Sequence, residues 1–302
     1  MTLLDGKYTA AAIRQELKSQ VDYYLSQGQR APRLGIVIVG HNPASETYVN
    51  NKIKACSEVG IETQKIAFPD TITETELLKH IEALNADDTI DGFIVQLPLP
   101  EHINESRILS TIRYQKDVDG LTPENVGRTI QGLPSIISAT PRGIRELMAR
   151  YGIQTEGKHV VVIGRSNIVG KPMAMLMMQR PYLSLPNMSA SALGNATVTI
   201  CHSHTQHLKD ICLSADIIIV AAGQPGLLTA EMVPEGATVI DVGITRIDDP
   251  SSPKGYRIVG DVAFDEVAPK CAYITPVPGG VGPMTIVSLL QNTLQTYKNR
   301  LI

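Results

Sequence analysis

Residues 164–172, with the sequence GRSNIVGKP, have the types and spacing to bind phosphate groups. They follow the apolar stretch His159–Ile163 and precede a helical pattern, an order typical of a parallel sheet that binds dinucleotide phosphates at a helix N-terminus. The match to the usual G-x-G-x-x-G pattern is imperfect, because Ser166 replaces the second glycine and Gly170 comes one residue late. An ordinary strand-to-helix turn fits the same residues.

The next predicted strand indicates which dinucleotide the chain would bind. NAD-binding sites usually carry Asp or Glu at the end of this strand, where it binds the ribose 2′-hydroxyl. Here Thr197–Cys201 runs into His202 and Ser203 without a carboxylate. Arg165 in the preceding turn and Ser203 supply a guanidinium and a hydroxyl, which suit a 2′-phosphate. These residues favour NADP, although Arg165 alone also fits a solvated turn residue.

Four polar residues of the first half are candidates for a catalytic and substrate-binding site. Tyr48 and Lys52 are four residues apart on a predicted helix and therefore share a face. Gln96 follows the buried strand Gly92–Val95, and residues just past strand ends line the ligand crevice of an open α/β sheet. Asp119, in the polar turn KDVDG, fits the same edge if its loop folds back. A solvated Lys52 and a Tyr48 in ordinary packing are the competing interpretations.

The elements that must position these residues alternate between short β-rich runs and longer amphipathic stretches. This alternation predicts an α/β fold with a mainly parallel sheet. Prolines loosen the pattern around residues 134–142, and we place a domain boundary there. The predicted strands are Leu34–Val39, Thr63–Phe68, Gly92–Val95, His159–Ile163, Thr197–Cys201, Ile217–Ala221 and Thr238–Val242. The predicted helices are Ala10–Leu25, Ser45–Val59, Thr73–Leu84, Gly170–Met178, Thr205–Ala215 and Met284–Tyr297.

Length and composition limit the classes of protein that the chain can represent. With 302 residues, 43% hydrophobic content and a net charge of −3, it predicts about two domains and no general attraction to nucleic acid or acidic membranes. We find no apolar run of membrane-spanning length and no signal-peptide pattern. The histidines after Cys201 lack the spacing and the fourth ligand of a zinc site, so no metal is expected. Reduced thiols in the cytoplasm are predicted from the scattered cysteines Cys56, Cys201, Cys212 and Cys271.

Taken together, the motifs resemble those of the bifunctional methylenetetrahydrofolate dehydrogenase/methenyltetrahydrofolate cyclohydrolase family, nearly end to end. One segment departs from the family, because RPYLSLPNMSASALG at 180–194 is longer than expected and has no predicted role beyond a surface loop. The resemblance is carried by LDGK at 4–7, PASETYVNNKIKACSEVGI at 43–61, DGFIVQLPLP at 91–100, KDVDG at 116–120, TPRG at 140–143, GRSNIVGKP, ATVTICHSHT at 196–205, IDVGI at 240–244 and PVPGGVGPMT at 276–285.

The resemblance implies two α/β domains around a cleft, with the last helix returning to the first domain. Residues 1–139 and 276–302 would form the folate-binding catalytic domain, and residues 140–275 a Rossmann-type NADP-binding domain. It implies NADP-dependent oxidation of 5,10-methylenetetrahydrofolate to 5,10-methenyltetrahydrofolate, followed by hydrolysis to 10-formyltetrahydrofolate. It also implies tetrahydrofolate derivatives as partners and a homodimer formed through the Rossmann domains, where an exposed strand edge could be covered.

By the family pattern, Lys52 is the central catalytic lysine of hydrolysis and Gln96 positions it. Tyr48 packs on or bonds to the folate, and Asp119 accepts bonds from the pterin N–H groups. An ammonium has an ordinary pKa of about 10.4 and is a poor base at neutral pH. Our hypothesis is that burial and the cationic substrate favour the neutral amine. The other implied positions are Gly164, Arg165, Ser166, Ser203 and Ile244 at the cofactor, and Pro278, Gly279 and Gly280 in a strap, Pro278–Val281, near substrate and nicotinamide.

Two other functions stay open at this point. An NADP-dependent dehydrogenase of another small substrate, such as a cyclic hydroxy acid, shares the cofactor half but does not explain Tyr48, Lys52, Gln96 and Asp119 together. A folate-binding or scaffold protein without turnover would be expected to lack Lys52, Gln96 or Asp119, and all three are present. The strap, taken alone, also fits a plain turn.

Overall fold

The computed structural model of the protein describes residues 1–180, 193–252 and 255–301. Most of the predicted surface loop at 180–194 lies outside these residues. The chain divides into two compact units, which we call the six-stranded unit and the three-stranded unit. The six-stranded unit comprises Met1–Ala10, Thr129–Pro134 and Thr140–Thr285, and the three-stranded unit comprises Ala11–Arg128, Ser135–Ala139 and Ile286–Ile302.

Strands and helices are numbered in chain order. The strands are β1 (Thr2–Leu3), β2 (Arg33–Val39), β3 (Glu62–Phe68), β4 (Gly92–Val95), β5 (His159–Ile163), β6 (Thr197–Cys201), β7 (Ile217–Val220), β8 (Thr238–Asp241), β9 (Thr245–Asp248), β10 (Tyr256–Val259) and β11 (Tyr273–Ile274). The helices are α1 (Gly6–Ser26), α2 (Pro43–Val59), α3 (Glu74–Ala86), α4 (Glu105–Thr111), α5 (Pro123–Gln131), α6 (Ala139–Arg150), α7 (Gly170–Met178), α8 (Leu208–Leu213), α9 (Phe264–Val267) and α10 (Val281–Asn299).

The three-stranded unit is built on a parallel sheet in the order β3-β2-β4. The central strand β2 reads RLGIVIV and is almost wholly buried, as expected for a parallel strand covered on both faces. Helix α3 begins at a capping box, in which Thr73 accepts from the backbone N–H of Glu76 and the Glu76 carboxylate accepts from that of Thr73. Local sequence therefore sets the start of this helix.

The last helix, α10, returns to the three-stranded unit, as the family resemblance implies. The side-chain amide of Asn292 donates to the carbonyl oxygens of Val118 at 2.7 Å and Ile137 at 2.9 Å. Near the end of α10, the buried Tyr297 donates its hydroxyl to the carbonyl oxygen of Arg30 at 2.9 Å. These bonds tie the C-terminus to segments from the start and the middle of the chain.

The six-stranded unit holds a sheet in the order β1-β11-β8-β7-β5-β6, with every neighbouring pair parallel. The succession β5, α7, β6, α8, β7 is the expected βαβ series, so the predicted α/β class is confirmed. The pairing of β1 with β11 joins the first residues of the chain to a strand near its end. Strands of two residues carry no readable periodicity, and the sequence analysis did not predict this pair.

Two helices differ from their predicted extents for local reasons. Helix α8 is shorter than the predicted Thr205–Ala215, because Thr205 accepts from the His202 backbone and His207 takes a left-handed φ of 55° just before the helix starts. Helix α6 forms where prolines loosened the pattern. Pro141 lies in its first turn, where a backbone N–H has no partner within the helix.

Beyond these helices, β9 and β10 form an antiparallel hairpin that the sequence analysis did not predict. Among the described residues, no helix is both long and apolar enough to cross a membrane.

Candidate active site and dinucleotide site

The catalytic candidates Lys52 and Gln96 are in direct contact. Lys52 lies on α2, is half-buried, and donates from Nζ to Oε1 of Gln96 at 3.0 Å. Gln96 follows β4, and its backbone N–H extends the ladder by bonding the carbonyl oxygen of Val37 at 2.8 Å. Its Nε2 donates to the carbonyl oxygen of Leu97 at 2.8 Å. With the NH₂ group used in this way, the amide oxygen faces the lysine.

Asp119 is half-buried in the turn after Lys116, and no hydrogen bond joins its carboxylate to another described residue. Burial raises the pKa of Asp119 and the nearby charge of Asp117 adds to this, whereas the Lys52 ammonium lowers it. Lys52 therefore acts electrostatically on both the Gln96 amide and the Asp119 carboxylate. The structure brings these three predicted residues together, and Asp119 keeps its oxygens available for a ligand.

The neighbouring acid, Asp117, has a structural role instead. Its buried carboxylate accepts from the backbone N–H groups of Gly120 at 2.9 Å and Thr122 at 2.7 Å, and from the Asn125 side chain at 3.0 Å. Gly120 has a φ of 69°, and a Cβ there would lie 2.6 Å from the Ile137 backbone. Asp117 and Gly120 thus fix the turn that presents the next acid.

Lys116 is also structural. Its buried side chain donates from Nζ to the carbonyl oxygens of Leu84 at 2.8 Å and Asp87 at 2.5 Å, at the end of α3. Burial lowers the pKa of Lys116. Carbonyls at a helix C-terminus lack partners within the helix, so this lysine helps to cap the end of α3. The Asp87 carbonyl oxygen also accepts from the backbone N–H of Ile90 at 3.3 Å.

Tyr48 lies one turn before Lys52 on α2 and is 47% exposed. An exposed aromatic ring beside a polar cluster offers a surface on which a flat ring can stack. The helix register places Tyr48 on the face of Lys52, as the spacing predicts.

In the six-stranded unit, two glycines hold the predicted phosphate turn together. Gly164 follows β5 and has a φ of 127°, and a Cβ there would lie 2.2 Å from the carbonyl oxygen of Ala221. A Cβ at Gly170 would lie 2.1 Å from the carbonyl oxygen of Gly164. The turn therefore packs tightly against the next strand end and against the start of α7. Such a turn is what a pyrophosphate cradle requires.

Ser166 shows how the turn works without its second glycine. Its hydroxyl oxygen accepts from the backbone N–H groups of Val169 at 3.1 Å and Gly170 at 3.4 Å. It therefore supports the first turn of α7, and its own side chain is exposed.

Arg165 and Ser203 lie at the same edge of the sheet. Strands β5 and β6 are neighbours, with Ile163 paired to Cys201, and each of the two residues follows the carboxyl end of one strand. Both side chains are exposed, and no carboxylate directly follows β6. The structure thus gives these positions the access that a 2′-phosphate needs.

Ile244 and the strap Pro278–Val281 line one pocket of the six-stranded unit, together with Val242, Gly243 and Ile258. Ile244 follows β8 and is 50% exposed. The strap is fixed from the chain start, because Lys7 donates its backbone N–H to the carbonyl oxygen of Gly279 at 2.9 Å. A Cβ at Gly6 would lie 1.8 Å from the carbonyl oxygen of Gly280. The LDGK motif therefore shapes the strap.

Two buried acids near this pocket escaped the sequence analysis. Asp241 ends β8 and Asp261 follows β10, with 2% and 0% exposure. The available signal was an aspartate at the end of the otherwise apolar strand TVID. Burial raises the pKa of Asp241 to about 6, against three backbone N–H groups that lower it.

Together, the parallel sheet with a glycine-shaped phosphate turn and the lysine–amide–carboxylate cluster define an α/β dinucleotide-binding protein with a second polar site. The sequence profile described as "Tetrahydrofolate dehydrogenase/cyclohydrolase, catalytic domain" matches residues 4–119. The profile of the NAD(P)-binding domain of the same family matches residues 138–301. The chain belongs to the tetrahydrofolate dehydrogenase/cyclohydrolase family, and the resemblance noted in the sequence is confirmed.

Several proteins are similar to this chain over nearly their whole length. "Bifunctional protein FolD" of Porphyromonas gingivalis is 55% identical, over 98% of this chain and 97% of that protein. The bifunctional enzyme FolD, methylenetetrahydrofolate dehydrogenase/cyclohydrolase, of Campylobacter jejuni is 47% identical, with a TM-score of 0.89 over 99% of both chains. The FolD enzyme of Trypanosoma brucei, solved with NADP and an inhibitor, is 39% identical, with a TM-score of 0.89 over 100% of this chain and 98% of that one.

Proposed function

We propose that this protein is a bifunctional one-carbon folate enzyme. It oxidises 5,10-methylenetetrahydrofolate to 5,10-methenyltetrahydrofolate with NADP, and it hydrolyses that product to 10-formyltetrahydrofolate. The observation that carries the proposal is the Lys52–Gln96 hydrogen bond of 3.0 Å, within the electrostatic reach of Asp119, in a chain that also holds a glycine-shaped phosphate turn. Full-length similarity to enzymes named for both activities supports it.

The residues of the dinucleotide site fit NADP, which accepts a hydride from the methylene carbon when bound. Gly164 and Gly170 let the phosphate turn pack closely against neighbouring backbone, because a Cβ at either one would collide with it. A tight turn at a helix start is where a dinucleotide pyrophosphate binds. Ser166 supports the helix start, Arg165 and Ser203 would hold the 2′-phosphate, and Ile244 would line the nicotinamide end of the site. Hydride transfer asks the protein mainly for alignment and exclusion of water.

Hydrolysis of the methenyl cation requires proton transfers, which Lys52 performs. Its neutral amine accepts a proton from water as the water oxygen bonds to the methenyl carbon. The ammonium then returns that proton to the folate N5 as the N5–carbon bond breaks. The added hydroxyl loses its own proton to solvent as its oxygen forms the carbonyl, which leaves the formyl group on N10. The Gln96 amide oxygen holds the amine in place through both transfers.

Substrate binding falls to the groups around this lysine and to the strap. The free carboxylate oxygens of Asp119 accept bonds from the pterin amino and ring N–H groups. Tyr48 stacks on or bonds to the folate. We assign Pro278, Gly279 and Gly280 to contacts near substrate and nicotinamide. The functional division that we propose gives folate binding to residues 1–139 and 276–302, and NADP binding to residues 140–275.

A spectrophotometric assay tests the function. Purified protein mixed with methylenetetrahydrofolate should reduce NADP faster than NAD, and it should convert methenyltetrahydrofolate to the formyl product without any cofactor. Reduction of NADP only with an unrelated substrate, such as a cyclic hydroxy acid, would support the single-activity dehydrogenase instead. Tight folate binding without turnover under either cofactor would support a binding protein.

We also propose a homodimer formed through the six-stranded unit. Strand β6 ends the sheet order, so one row of its backbone groups has no neighbouring strand in the described sheet, and Val198 and Ile200 are only half-buried. Pairing of this edge with a second copy would cover it. Light scattering on the purified protein tests the mass. A monomer at every concentration would contradict the dimer.

The cellular setting that we propose is the cytoplasm, in one-carbon metabolism that supplies formyl groups for purine biosynthesis. All four cysteines are free thiols and buried, which suits a reducing compartment. A net charge of −3 gives no general attraction to nucleic acid.

A further inference from the structure

We propose that Asp241 and Asp261 form a paired-acid clamp. The clamp holds the loops after β7 and β8 in position for NADP binding in the dehydrogenase step. The clamp consists of these two buried carboxylates and the backbone amides that they bind. The inference rests on the proposed function and adds two positioning residues to it.

The first carboxylate holds the segment that leads to Ile244. Oδ1 of Asp241 accepts from the backbone N–H groups of Gly243 and Asp261, both at 2.9 Å, and Oδ2 accepts from that of Val262 at 3.0 Å. The backbone N–H of Asp241 in turn donates to the Thr275 hydroxyl at 2.7 Å. Both oxygens of Asp241 are therefore occupied by backbone donors.

The second carboxylate holds the turn after β7. Oδ2 of Asp261 accepts from the backbone N–H groups of Ala222 at 2.7 Å and Gly223 at 2.8 Å. Its Oδ1 is buried and has no hydrogen-bond partner among the described residues. Asp261 therefore uses only one oxygen for positioning.

Two glycines make room for the clamp. A Cβ at Gly243 would lie 2.4 Å from Oδ1 of Asp261, and a Cβ at Gly260 would lie 1.9 Å from Oδ2 of Asp241. The two carboxylates thus occupy the space that a side chain at either glycine would need. The hydrogen bonds to the backbone amides therefore tie the position of each loop to that of its acid.

The position of the clamp points to the cofactor. Strands β7 and β8 are neighbours of each other in the sheet, β7 also pairs with β5, and all three are parallel. The clamp binds the segments just past the carboxyl ends of β7 and β8, which is where an open α/β sheet binds its ligand. Asp241 itself lines the pocket that contains Ile244 and the strap.

The clamp is also unfavourable for the free energy of folding. A buried carboxylate oxygen without a partner is unfavourable, and two neighbouring buried acids raise each other's energy when both are ionised. An apolar pair would avoid both penalties but could not accept the five amides. Placement of these loops for ligand binding accounts for a device that stability does not favour.

The oxygen usage predicts an asymmetry between conservative substitutions. Asp241→Asn must turn an NH₂ group toward a backbone N–H, because both Asp241 oxygens accept such bonds. Asp261→Asn can keep its single oxygen on Ala222 and Gly223 and place the NH₂ group at the unpartnered position. Asp261→Ala loses both bonds. We expect Asp241→Asn and Asp261→Ala to raise the KM for NADP roughly 10- to 100-fold, and Asp261→Asn to stay within about threefold of the wild type.

The test measures both activities of each variant. Hydrolysis of preformed methenyltetrahydrofolate needs no NADP, so it should stay near the wild-type rate in all three variants and thereby also reports folding. Asp248→Asn, an exposed acid on β9, is the matched control and should change neither activity. Thr275→Val removes the two bonds between the Thr275 hydroxyl and the Asp241 backbone and leaves both carboxylates in place. It should raise the KM for NADP less than Asp261→Ala, and it serves as the test if the Asp241 and Asp261 variants do not fold.

Equal KM values for NADP in the wild type, Asp241→Asn and Asp261→Ala would overturn the clamp, as would a parallel loss of both activities in the folded variants. The proposed function fails separately, if the wild type turns over neither folate. In that case, direct NADP titration of the same variants still tests the clamp. The same order of affinities would support it, and equal affinities would overturn it.

Discussion

The ammonium of Lys52 and the amide oxygen of Gln96 are 3.0 Å apart, and the amide NH₂ is bound to the carbonyl oxygen of Leu97. The second bond fixes which end of the amide the lysine meets. A neutral acceptor at this point holds the amine without supplying a negative charge that would stabilise the ammonium. Gln96 therefore positions Lys52 without adding a charge of its own, and we propose that Lys52 is the base of hydrolysis.

Replacing the neutral acceptor with a charged one should therefore suppress hydrolysis. Gln96→Glu places a carboxylate against Lys52, favours the ammonium, and should lower the rate of methenyltetrahydrofolate hydrolysis about tenfold or more. Gln64→Glu, at an exposed position on β3, makes the same chemical change away from the site and should have no effect. An unchanged hydrolysis rate in Gln96→Glu would argue against the role of the neutral amide.

The binding of folate should weaken in acid because of Asp119. Burial raises the pKa of this carboxyl, so the anion that accepts the pterin N–H groups is present at high pH and is lost as the pH falls through that raised pKa. The KM for methylenetetrahydrofolate should rise on acidification. Asp119→Asn should raise the KM at all pH values and flatten this profile, whereas the exposed Asp70→Asn should keep the wild-type profile. A steep profile that survives in Asp119→Asn would assign the titration to another group.

Cofactor preference should depend on Arg165. Arg165→Ala removes a guanidinium from the 2′-phosphate position and should lower kcat/KM for NADP roughly 10- to 100-fold, with little change for NAD. Lys158 directly precedes β5, at the end of the strand opposite to Arg165. Lys158→Ala should leave kcat/KM unchanged for both cofactors. Equal losses with NADP and NAD would show that Arg165 supports the turn rather than the 2′-phosphate.

The strap should be sensitive to the chain start. Gly6→Ala forces a Cβ to within 1.8 Å of the Gly280 carbonyl oxygen, so the strap must move. Displacements of this size cost about 100-fold in catalysis where alignment matters, and we expect such a loss in kcat/KM for the dehydrogenase. Gly127→Ala, where a Cβ meets no atom within 4 Å, is the control. A fully active Gly6→Ala enzyme would remove the strap from the catalytic account.

Much of this architecture was predictable, because long elements carry their own periodicity. Strand His159–Ile163 and helix Gly170–Met178 were predicted at their observed bounds. The strand-end rule placed Gln96 at the ligand edge of the sheet. Its contact with Lys52 followed from the family resemblance. The return of the last helix followed from the family resemblance.

Other features depend on contacts between distant residues, which composition does not reveal. KDVDG contains two acids that look alike in the sequence. In the structure, three donors bind the Asp117 carboxylate, whereas the Asp119 carboxylate stays available for a ligand. The pairing of Thr2 with Tyr273 leaves no periodic pattern in the sequence from which it could be predicted. The clamp was missed because a buried acid at a strand end resembles a polar residue that leaves the sheet. The role of each acid depends on backbone amides that other segments of the chain supply.

The rate of methenyltetrahydrofolate hydrolysis by Lys52→Met tests the central claim most directly. The amine is the only proton acceptor that we assign to the water attack, so the rate should fall roughly 10²- to 10⁴-fold, and Lys52→Arg should fail as well because a guanidinium does not deprotonate. Lys54→Met, an exposed lysine on the same helix, should retain full activity, and all three variants should still bind NADP. Wild-type hydrolysis by a folded Lys52→Met protein would contradict the account.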